Sequence, residues 1–259
     1  MTAKQITIGR LCVLTHPDRD TMGAAAANQA AQAIHEAITE KKTARIIVAS
    51  APSQIEFFAC LTAAPGIDWS KVTIFQADEY TGIPENHPAS FRSFHREHLL
   101  AKITPAAFHG IQGESQDPEA ECNRYAALLA ESPIDLLCLG IGENGHIAFN
   151  DPLVADFHDP RPVKVVELDE VSRQQQVNDG CFPDLDSVPK KAITLTCPTL
   201  ISARRLVCIV PGPRKAAAVS NTLRAAAVSS FVPATILRLH PRGTLHLDSQ
   251  SAKFLMDLR

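Results

Sequence analysis

A histidine and a carboxylate follow a glycine-rich segment in the middle of the chain. His146 ends the sequence Gly142-Glu143-Asn144-Gly145-His146, and Asp151 comes five residues later. An imidazole that is oriented by a carboxylate is suited to act as an acid or a base near neutral pH. We therefore expect proton-transfer chemistry at this segment, with Asp151 orienting the ring of His146.

The same segment also satisfies the pattern G-x-G-x-x-G, which is typical of dinucleotide-binding folds. That pattern requires a helix that begins at the glycines and an acidic residue at the end of the next strand. Here Pro152 leaves room for about two turns of helix, and Pro160 and Pro162 follow. These prolines argue against a nicotinamide or flavin cofactor, and the sequence predicts none.

A second pair of acidic residues, Asp78-Glu79, follows the apolar run at residues 72–75. Two adjacent carboxylates form a solvated turn in most proteins. If the apolar run is a buried strand, however, it delivers them to the edge of the sheet where His146 also lies. A general base at this position is the functional alternative.

Apolar runs alternate with amphipathic segments along most of the chain. The strands are predicted at 46–49, 72–77, 134–140 and 206–210, and the helices at 20–42, from Ser53 onward with Glu56 in a capping box, and at 90–100, 119–131 and 214–227. Continuous apolar strands that alternate with helices are typical of parallel sheets. We predict a doubly wound α/β fold with a mostly parallel sheet and helices on both faces, as a single domain over residues 1–259.

Such sheets bind ligands beyond the carboxyl ends of their strands. Residues 211–215 combine a strand end, a turn and a helix N-terminus, whose free N–H groups favour anions, and Lys215 adds a full positive charge. A solvated lysine in the first helical turn is the alternative. The loop at residues 151–162 borders the site and is interpreted as a lid, with an irregular surface loop as the alternative.

The composition excludes several classes of protein. Hydrophobic residues make up 45% and charged residues 20%, with a formal net charge of −3 and no clustered basic face, which argues against nucleic-acid binding. The apolar run at residues 11–14 is too short for a signal peptide or a membrane span. The seven cysteines form no C-x-x-C pair and are expected to be free thiols, so we predict a soluble cytoplasmic protein.

A metal site is not expected from the sequence. His95 and His98 are spaced i, i+3 on the predicted helix, but no cysteine or carboxylate accompanies them at ligand spacing.

The chain resembles the glucosamine-6-phosphate deaminases, which share a fold with the 6-phosphogluconolactonases. The likeness covers nearly the whole chain and is carried by residues 77–82, His87-Pro88, residues 90–94 and, most specifically, residues 139–152. The lactonase branch has Asp-Glu-Arg where this chain has Asp78-Glu79-Tyr80, and it lacks the continuation Phe149-Asn150-Asp151-Pro152. The deaminases are therefore the nearer relatives.

The resemblance implies a mechanism without metal or redox cofactor. His146, assisted by Asn144 and Asp151, would open the sugar ring, and Asp78 would move a proton from C2 to C1. The resulting imine would hydrolyse to fructose 6-phosphate and ammonia. The resemblance further implies a sugar phosphate as the ligand, and the candidate binding residues are Lys215, Ser50, Ser53, Glu79 and Arg173.

The sequence departs from the family at several of these positions. The family's phosphate loop, Thr-Gly-Gly-Thr or Ser-Gly-Gly-Thr, is replaced by Ser50-Ala51-Pro52-Ser53, in which proline removes one N–H donor. Glu56 would add a carboxylate beside the phosphate. Asn144 and Asp151 stand where aspartate and glutamate are common, and the segment around Arg173 does not align cleanly.

These departures leave two other hypotheses open. One is a lactonase or isomerase that acts on a sugar phosphate without an amino group. The other is a sugar-phosphate-binding regulator that has lost turnover. A homo-oligomer is compatible with the sequence, which does not determine the number of subunits.

Overall fold

A computed structural model describes residues 4–255, so the first three and the last four residues of the predicted domain lie outside the described part. The strands are β1 Lys4–Ile8, β2 Leu11–His16, β3 Ala44–Val48, β4 Val72–Gln76, β5 Asp78–Tyr80, β6 Ala107–His109, β7 Leu136–Leu139, β8 Val163–Glu167, β9 Lys191–Leu195, β10 Arg205–Val210 and β11 Gly243–Asp248. The α-helices are α1 Arg19–Lys41, α2 Ile55–Ala63, α3 Phe91–His95, α4 Pro118–Ala130, α5 Glu170–Asn178, α6 Cys197–Ile201 and α7 Ala216–Arg224. Single 3₁₀ segments lie at Pro52–Gln54, Trp69–Lys71, Pro213–Lys215 and Pro233–Leu239, and a π-helical segment, Arg96–Leu100, continues α3.

The large sheet has eight strands in the order β1-β2-β11-β10-β7-β3-β4-β6. All neighbouring pairs are parallel except the β1–β2 hairpin. Successive residues of one strand are buried in different clusters: Ile46 and Val48 pack with helices α1 and α2, whereas Ile47 packs with α4 and α7. Because both faces of the sheet are covered, the predicted doubly wound α/β fold is confirmed.

Helix α1 covers one face of this sheet and carries clear signals at both ends. Asp18 caps its N-terminus by accepting a hydrogen bond from the Thr21 amide at 2.8 Å, and the Thr21 hydroxyl completes a capping box. The helix ends where Lys42 adopts a left-handed conformation with φ of 67°. Within residues 4–255, no helix combines the length and the apolar character that are needed to cross a membrane.

A second sheet, which the sequence did not predict, has three antiparallel strands in the order β5-β9-β8. Asp78 and Glu79 were expected at the end of a strand of the large sheet. The chain instead leaves that sheet at Ala77 and pairs again at once, with Asp78 opposite Thr194. This pairing joins residues more than a hundred positions apart, and no local pattern announces it.

Candidate active site

A cleft opens at the carboxyl ends of β3, β7 and β10, where the two sheets meet. It is lined by residues from six chain segments: Ala49, Ser50, Ala51, Ser53, Gln54, Asp78, Phe91, Gly140, Ile141, Gly142, His146, Ala148, Phe149, Gln175, Gln176 and Lys215. This is the edge at which open α/β sheets bind ligands. Of the candidate site residues, Asp78, His146, Lys215, Ser50 and Ser53 line the cleft.

The glycines after β7 turn the chain and leave space for the imidazole of His146. The Gly142 amide donates to the carbonyl oxygen of His146 at 2.9 Å, and Gly145 turns the chain with φ of 88°. A Cβ atom at Gly142 would lie 2.1 Å from the imidazole, so only glycine lets the ring lie over the loop. No helix begins at these glycines, in contrast to a dinucleotide-binding segment.

The imidazole of His146 is held on one side by two side chains. Its Nδ1 lies 3.0 Å from Asp151 Oδ1 and 2.8 Å from Ser172 Oγ, and Ser172 also donates to Asp151. Burial opposes the ionisation of Asp151, but hydrogen bonds with His146, Asn144 and Ser172 outweigh it and hold the pKa of Asp151 below its usual range. An ionised Asp151 keeps a proton on Nδ1 and leaves Nε2 for a ligand.

Asn144 connects this group to a second carboxylate. Its Nδ2 donates to Asp151 Oδ1 and to Asp169 Oδ2, both at 2.9 Å, and its Oδ1 accepts from the His146 amide at 2.9 Å. An aspartate at this position would place three carboxylates in contact. The asparagine therefore fits the presence of Asp169, which also caps helix α5.

Sequence reasoning missed both Asp169 and Ser172. Asp169 accepts a hydrogen bond from the Ser172 amide at 2.6 Å, which is a normal N-cap contact. The local signal was an aspartate before a helical segment. That local signal does not predict that the capping residue lies close to Asp151.

Asp78 lies in the cleft without a partner. The residue is 6% exposed, and its carboxylate forms no hydrogen bond or ion pair with residues 4–255. Burial, together with the neighbouring Glu79, raises the pKa of Asp78 well above its usual value. A buried carboxylate without donors is a strong base once it is ionised.

Glu79, a candidate substrate-binding residue, lies outside the cleft lining. It is fully buried and points away from Asp78 as expected for neighbours on a strand. Its carboxylate accepts hydrogen bonds from the amides of Phe91 and Arg92, each at 3.0 Å, and from Ser90 Oγ at 2.9 Å. Glu79 thus anchors the first turn of helix α3 to strand β5.

Lys215 brings a positive charge to the cleft lining. Lys215 is 8% exposed and forms no hydrogen bond or ion pair with the described residues, and burial lowers its pKa to about 8. The neighbouring Arg214 is instead paired with Asp179 at 2.5 Å. Lys215 ends a 3₁₀ turn that leads into helix α7.

The loop at residues 50–53 differs from the prediction. Ser53 does not cap a helix, because a 3₁₀ turn at Pro52–Gln54 comes first and helix α2 begins at Ile55 without a side-chain cap. Glu56 forms a bidentate pair with Arg19 at 2.8 and 2.9 Å and does not line the cleft. The expected conflict between Glu56 and a bound phosphate is therefore absent.

Arg173, the candidate substrate-binding arginine, lies outside the cleft lining. Its guanidinium donates to the carbonyl oxygens of Leu185 and Val188. Two other residues of α5 reach the cleft, Gln175 and Gln176. Gln175 Oε1 accepts from the Glu143 amide at 2.8 Å, which ties α5 to the loop after β7.

Two further expectations concern the surroundings of the cleft. None of the cleft-lining residues belongs to the loop at residues 151–162, so the role of this loop as a lid stays a prediction. Among residues 4–255, no group of three or more histidine, cysteine or acidic side chains is arranged to hold a metal ion. His95 contacts Ser50, and the ring of His98 packs on Phe94.

Comparison with known proteins identifies relatives of this chain. Residues 17–246 match the family described as glucosamine-6-phosphate isomerases/6-phosphogluconolactonase. A glucosamine-6-phosphate deaminase from an Exiguobacterium species is 40% identical over 189 residues, which cover 72% of this chain and 71% of the relative. The enzyme of the same name from Halothermothrix orenii is 38% identical over 193 residues, covering 73% and 77%.

Solved structures agree with this assignment. A monomeric glucosamine-6-phosphate deaminase superposes with a TM-score of 0.84 at 31% identity, over 93% of this chain and 98% of the other. A 6-phosphogluconolactonase from Trypanosoma brucei has a TM-score of 0.74 at 18% identity, over 97% of this chain and 100% of the other. The second likeness concerns the fold alone.

Proposed function

Since the chain belongs to the family of glucosamine-6-phosphate isomerases and 6-phosphogluconolactonases, we propose that it is an enzyme that converts glucosamine 6-phosphate and water into fructose 6-phosphate and ammonia. The observation that carries the proposal is the unpaired, buried carboxylate of Asp78 in the same cleft as the oriented imidazole of His146. A protein that only binds a sugar phosphate has no use for such a base.

His146 catalyses opening of the pyranose ring. Its Nε2 takes the proton of the C1 hydroxyl and returns a proton to the ring oxygen. Asp151 and Ser172 support this role, because they hold Nδ1 and stabilise the imidazolium that forms during the transfer. Asn144 keeps Asp151 in place.

Asp78 catalyses the isomerisation of the open-chain sugar. Its carboxylate removes the proton from C2 and delivers it to C1, while a second proton passes from the nitrogen to O1, so the amino aldose becomes a ketose imine. Water then adds to C2, its oxygen becomes the carbonyl oxygen, and the nitrogen leaves as ammonia. The final step is a hydrolysis, so the enzyme is also a hydrolase.

The phosphate binds where Lys215 and the loop after β3 line the cleft. Lys215 supplies the positive charge, and Ser50 and Ser53 supply hydroxyl groups from the loop after β3. Because the ammonium of Lys215 forms no ion pair with a carboxylate of residues 4–255, it is available to an anionic ligand.

The proposal also places the enzyme in amino-sugar breakdown in the cytoplasm. All seven cysteines are free, which fits a reducing compartment. Its substrate is the sugar phosphate that remains after deacetylation of an N-acetylated precursor, so it serves the catabolism of N-acetylglucosamine.

Ammonia release from glucosamine 6-phosphate, without added metal or nucleotide, tests the proposal. We expect turnover by the wild type and a loss of about 10²–10⁴-fold in kcat for Asp78→Asn, because the isosteric amide cannot accept the C2 proton. Asp186→Asn, an exposed aspartate outside the cleft, is the matched control and should keep full activity.

Two results would contradict this function. One is a wild type that releases no ammonia, and the other is an Asp78→Asn variant that releases as much as the wild type. Assays with 6-phosphogluconolactone and with glucose 6-phosphate then distinguish a lactonase or an isomerase from a binding protein without turnover.

A further inference from the structure

Ser50 forms a buried pair with a histidine that has no place in the mechanism above. Ser50 Oγ lies 2.6 Å from Nε2 of His95, the last residue of helix α3. Ser50 lines the cleft, whereas His95 is fully buried behind it. The His95 ring packs among Phe58, Phe94 and Phe108, with ring centroids 5.9, 5.9 and 5.6 Å away.

A serine beside a histidine suggests a nucleophile first. In such pairs the imidazole takes the serine proton, and a third group that bonds the other ring nitrogen stabilises the resulting cation. Here Nδ1 of His95 is buried and has no hydrogen-bond partner. Burial lowers the pKa of His95 to about 3, so the ring stays neutral and cannot activate Ser50.

The same surroundings indicate which nitrogen carries the proton. A neutral imidazole has one N–H group. If that group were at Nδ1, a donor would be left unpaired among aromatic rings, and unpaired buried N–H groups are rarer than unpaired acceptors. We therefore assign the proton to Nε2, where it is donated to Ser50 Oγ.

This assignment determines what Ser50 can do. Its oxygen accepts from His95, so its own proton is free for an acceptor in the cleft. A hydroxyl that accepts one hydrogen bond also becomes a stronger donor, because the bonds polarise each other. Ser50 is thereby prepared to bind an oxyanion.

We propose that His95 is a positioning residue that makes Ser50 a hydrogen-bond donor to the phosphate of the substrate. The inference rests on the proposed function and deepens it. It also accounts for the loop at residues 50–53, where Pro52 provides no N–H and the Gln54 amide is used by the carbonyl oxygen of Ala51 at 2.9 Å. A polarised hydroxyl replaces the backbone donors that glycines would have supplied.

Steady-state kinetics of ammonia release test the role of His95. His95→Phe fits the aromatic cluster but has no donor, so we expect KM for glucosamine 6-phosphate to rise about 10-fold or more with kcat within about 3-fold of wild type. His95→Gln keeps an N–H at a similar reach and should retain a KM within about 3-fold. His98→Phe, on the next turn of the same helix, is the control and should leave both constants unchanged.

A double-mutant cycle separates positioning from mere packing. Because His95 acts through Ser50, the KM of the double variant Ser50→Ala/His95→Phe should equal that of Ser50→Ala alone. Additive effects, a change confined to kcat, or a His95→Gln variant as impaired as His95→Phe would overturn the proposal.

Binding of inorganic phosphate, measured by calorimetry, keeps this inference separate from the function. If the wild type releases no ammonia, the proposed function fails, but weaker phosphate binding by His95→Phe than by wild type still supports the role of His95. Equal binding by the two proteins, or no binding by either, would contradict it.

Discussion

Individual residues in the cleft differ in whether their neighbours in the sequence are also their neighbours in space. His146, Asn144 and Asp151 belong to one loop, so their contacts follow from their spacing, and the sequence predicted them together. Arg173 was a candidate for the family's substrate-binding arginine, in a segment that does not align cleanly with the family. The carbonyl groups that bind its guanidinium belong to another loop and were not visible in the sequence.

The charge of Lys215 is the residue-scale feature with a direct pH dependence. Burial lowers the pKa of Lys215 to about 8, so the ammonium is present below that pH and is lost as the pH rises through it. We expect the inhibition constant of inorganic phosphate to rise between about pH 7.5 and 9.5 in the wild type. In Lys215→Arg the guanidinium stays charged, and the inhibition constant should change by less than about 2-fold over the same range.

Competitive inhibition by phosphate is the suitable measurement, because the amino group of the substrate does not enter it. An unchanged inhibition constant in the wild type across that range, or an equal rise in Lys215→Arg, would show that Lys215 does not supply the charge.

The elements around the cleft were predicted unevenly. Strands β3, β4, β7 and β10 and helices α1 and α4 are near their expected positions, since each has its own apolar pattern and most of its length is buried. Strands β5, β8 and β9 were not predicted. Their pairing depends on segments far apart in the chain, and β5 has only three residues.

Glu79 connects one of these unpredicted strands to helix α3, and its replacement tests that role. The amides of Phe91 and Arg92 donate to different oxygens of Glu79, so in Glu79→Gln the NH₂ group that replaces one oxygen faces one of these two donors. We expect the free energy of unfolding to fall by about 2–3 kcal/mol, because hydrogen bonds to a buried carboxylate are lost. Chemical denaturation measures this change.

The control is Glu114→Gln, whose carboxylate is half exposed and binds the same helix through Arg92. It should cost less than about 1 kcal/mol. A Glu79→Gln variant of normal stability that had lost substrate binding would instead support a direct contact with the ligand.

For the molecule as a whole, the buried carboxylate of Asp78 in the cleft lowers the free energy of unfolding. Asp78 is buried without a donor, and its raised pKa means that folding disfavours the ionised form. Asp78 therefore destabilises the folded protein least at low pH, where the carboxyl is protonated in both states. The destabilisation grows as the pH rises above the pKa of this carboxyl in the unfolded chain. The proposed catalytic base is thus held in the fold at a cost in free energy.

The variant Asp78→Asn should accordingly be inactive but more stable. We expect its free energy of unfolding at pH 7 to exceed that of the wild type by about 1–3 kcal/mol, because the neutral amide needs no charge solvation. The difference should shrink towards about pH 4. Thermal unfolding at both pH values measures it, and a variant less stable than the wild type at pH 7 would refute the argument.

The sequence alone determined the class of the fold and indicated the glycine-rich loop of His146 and the basic strand end of Lys215, because each depends on a local pattern: apolar runs, glycine spacing, or a lysine at a helix start. Only the tertiary structure decided which groups Glu79 and Arg173 contact. It also decided the hydrogen bonds of Asn144 with Asp169 and of Ser50 with His95. Each of these depends on where a polar group from a distant segment is placed. In a buried site such a group must find its partner across the fold, and the local sequence does not record which partner that is.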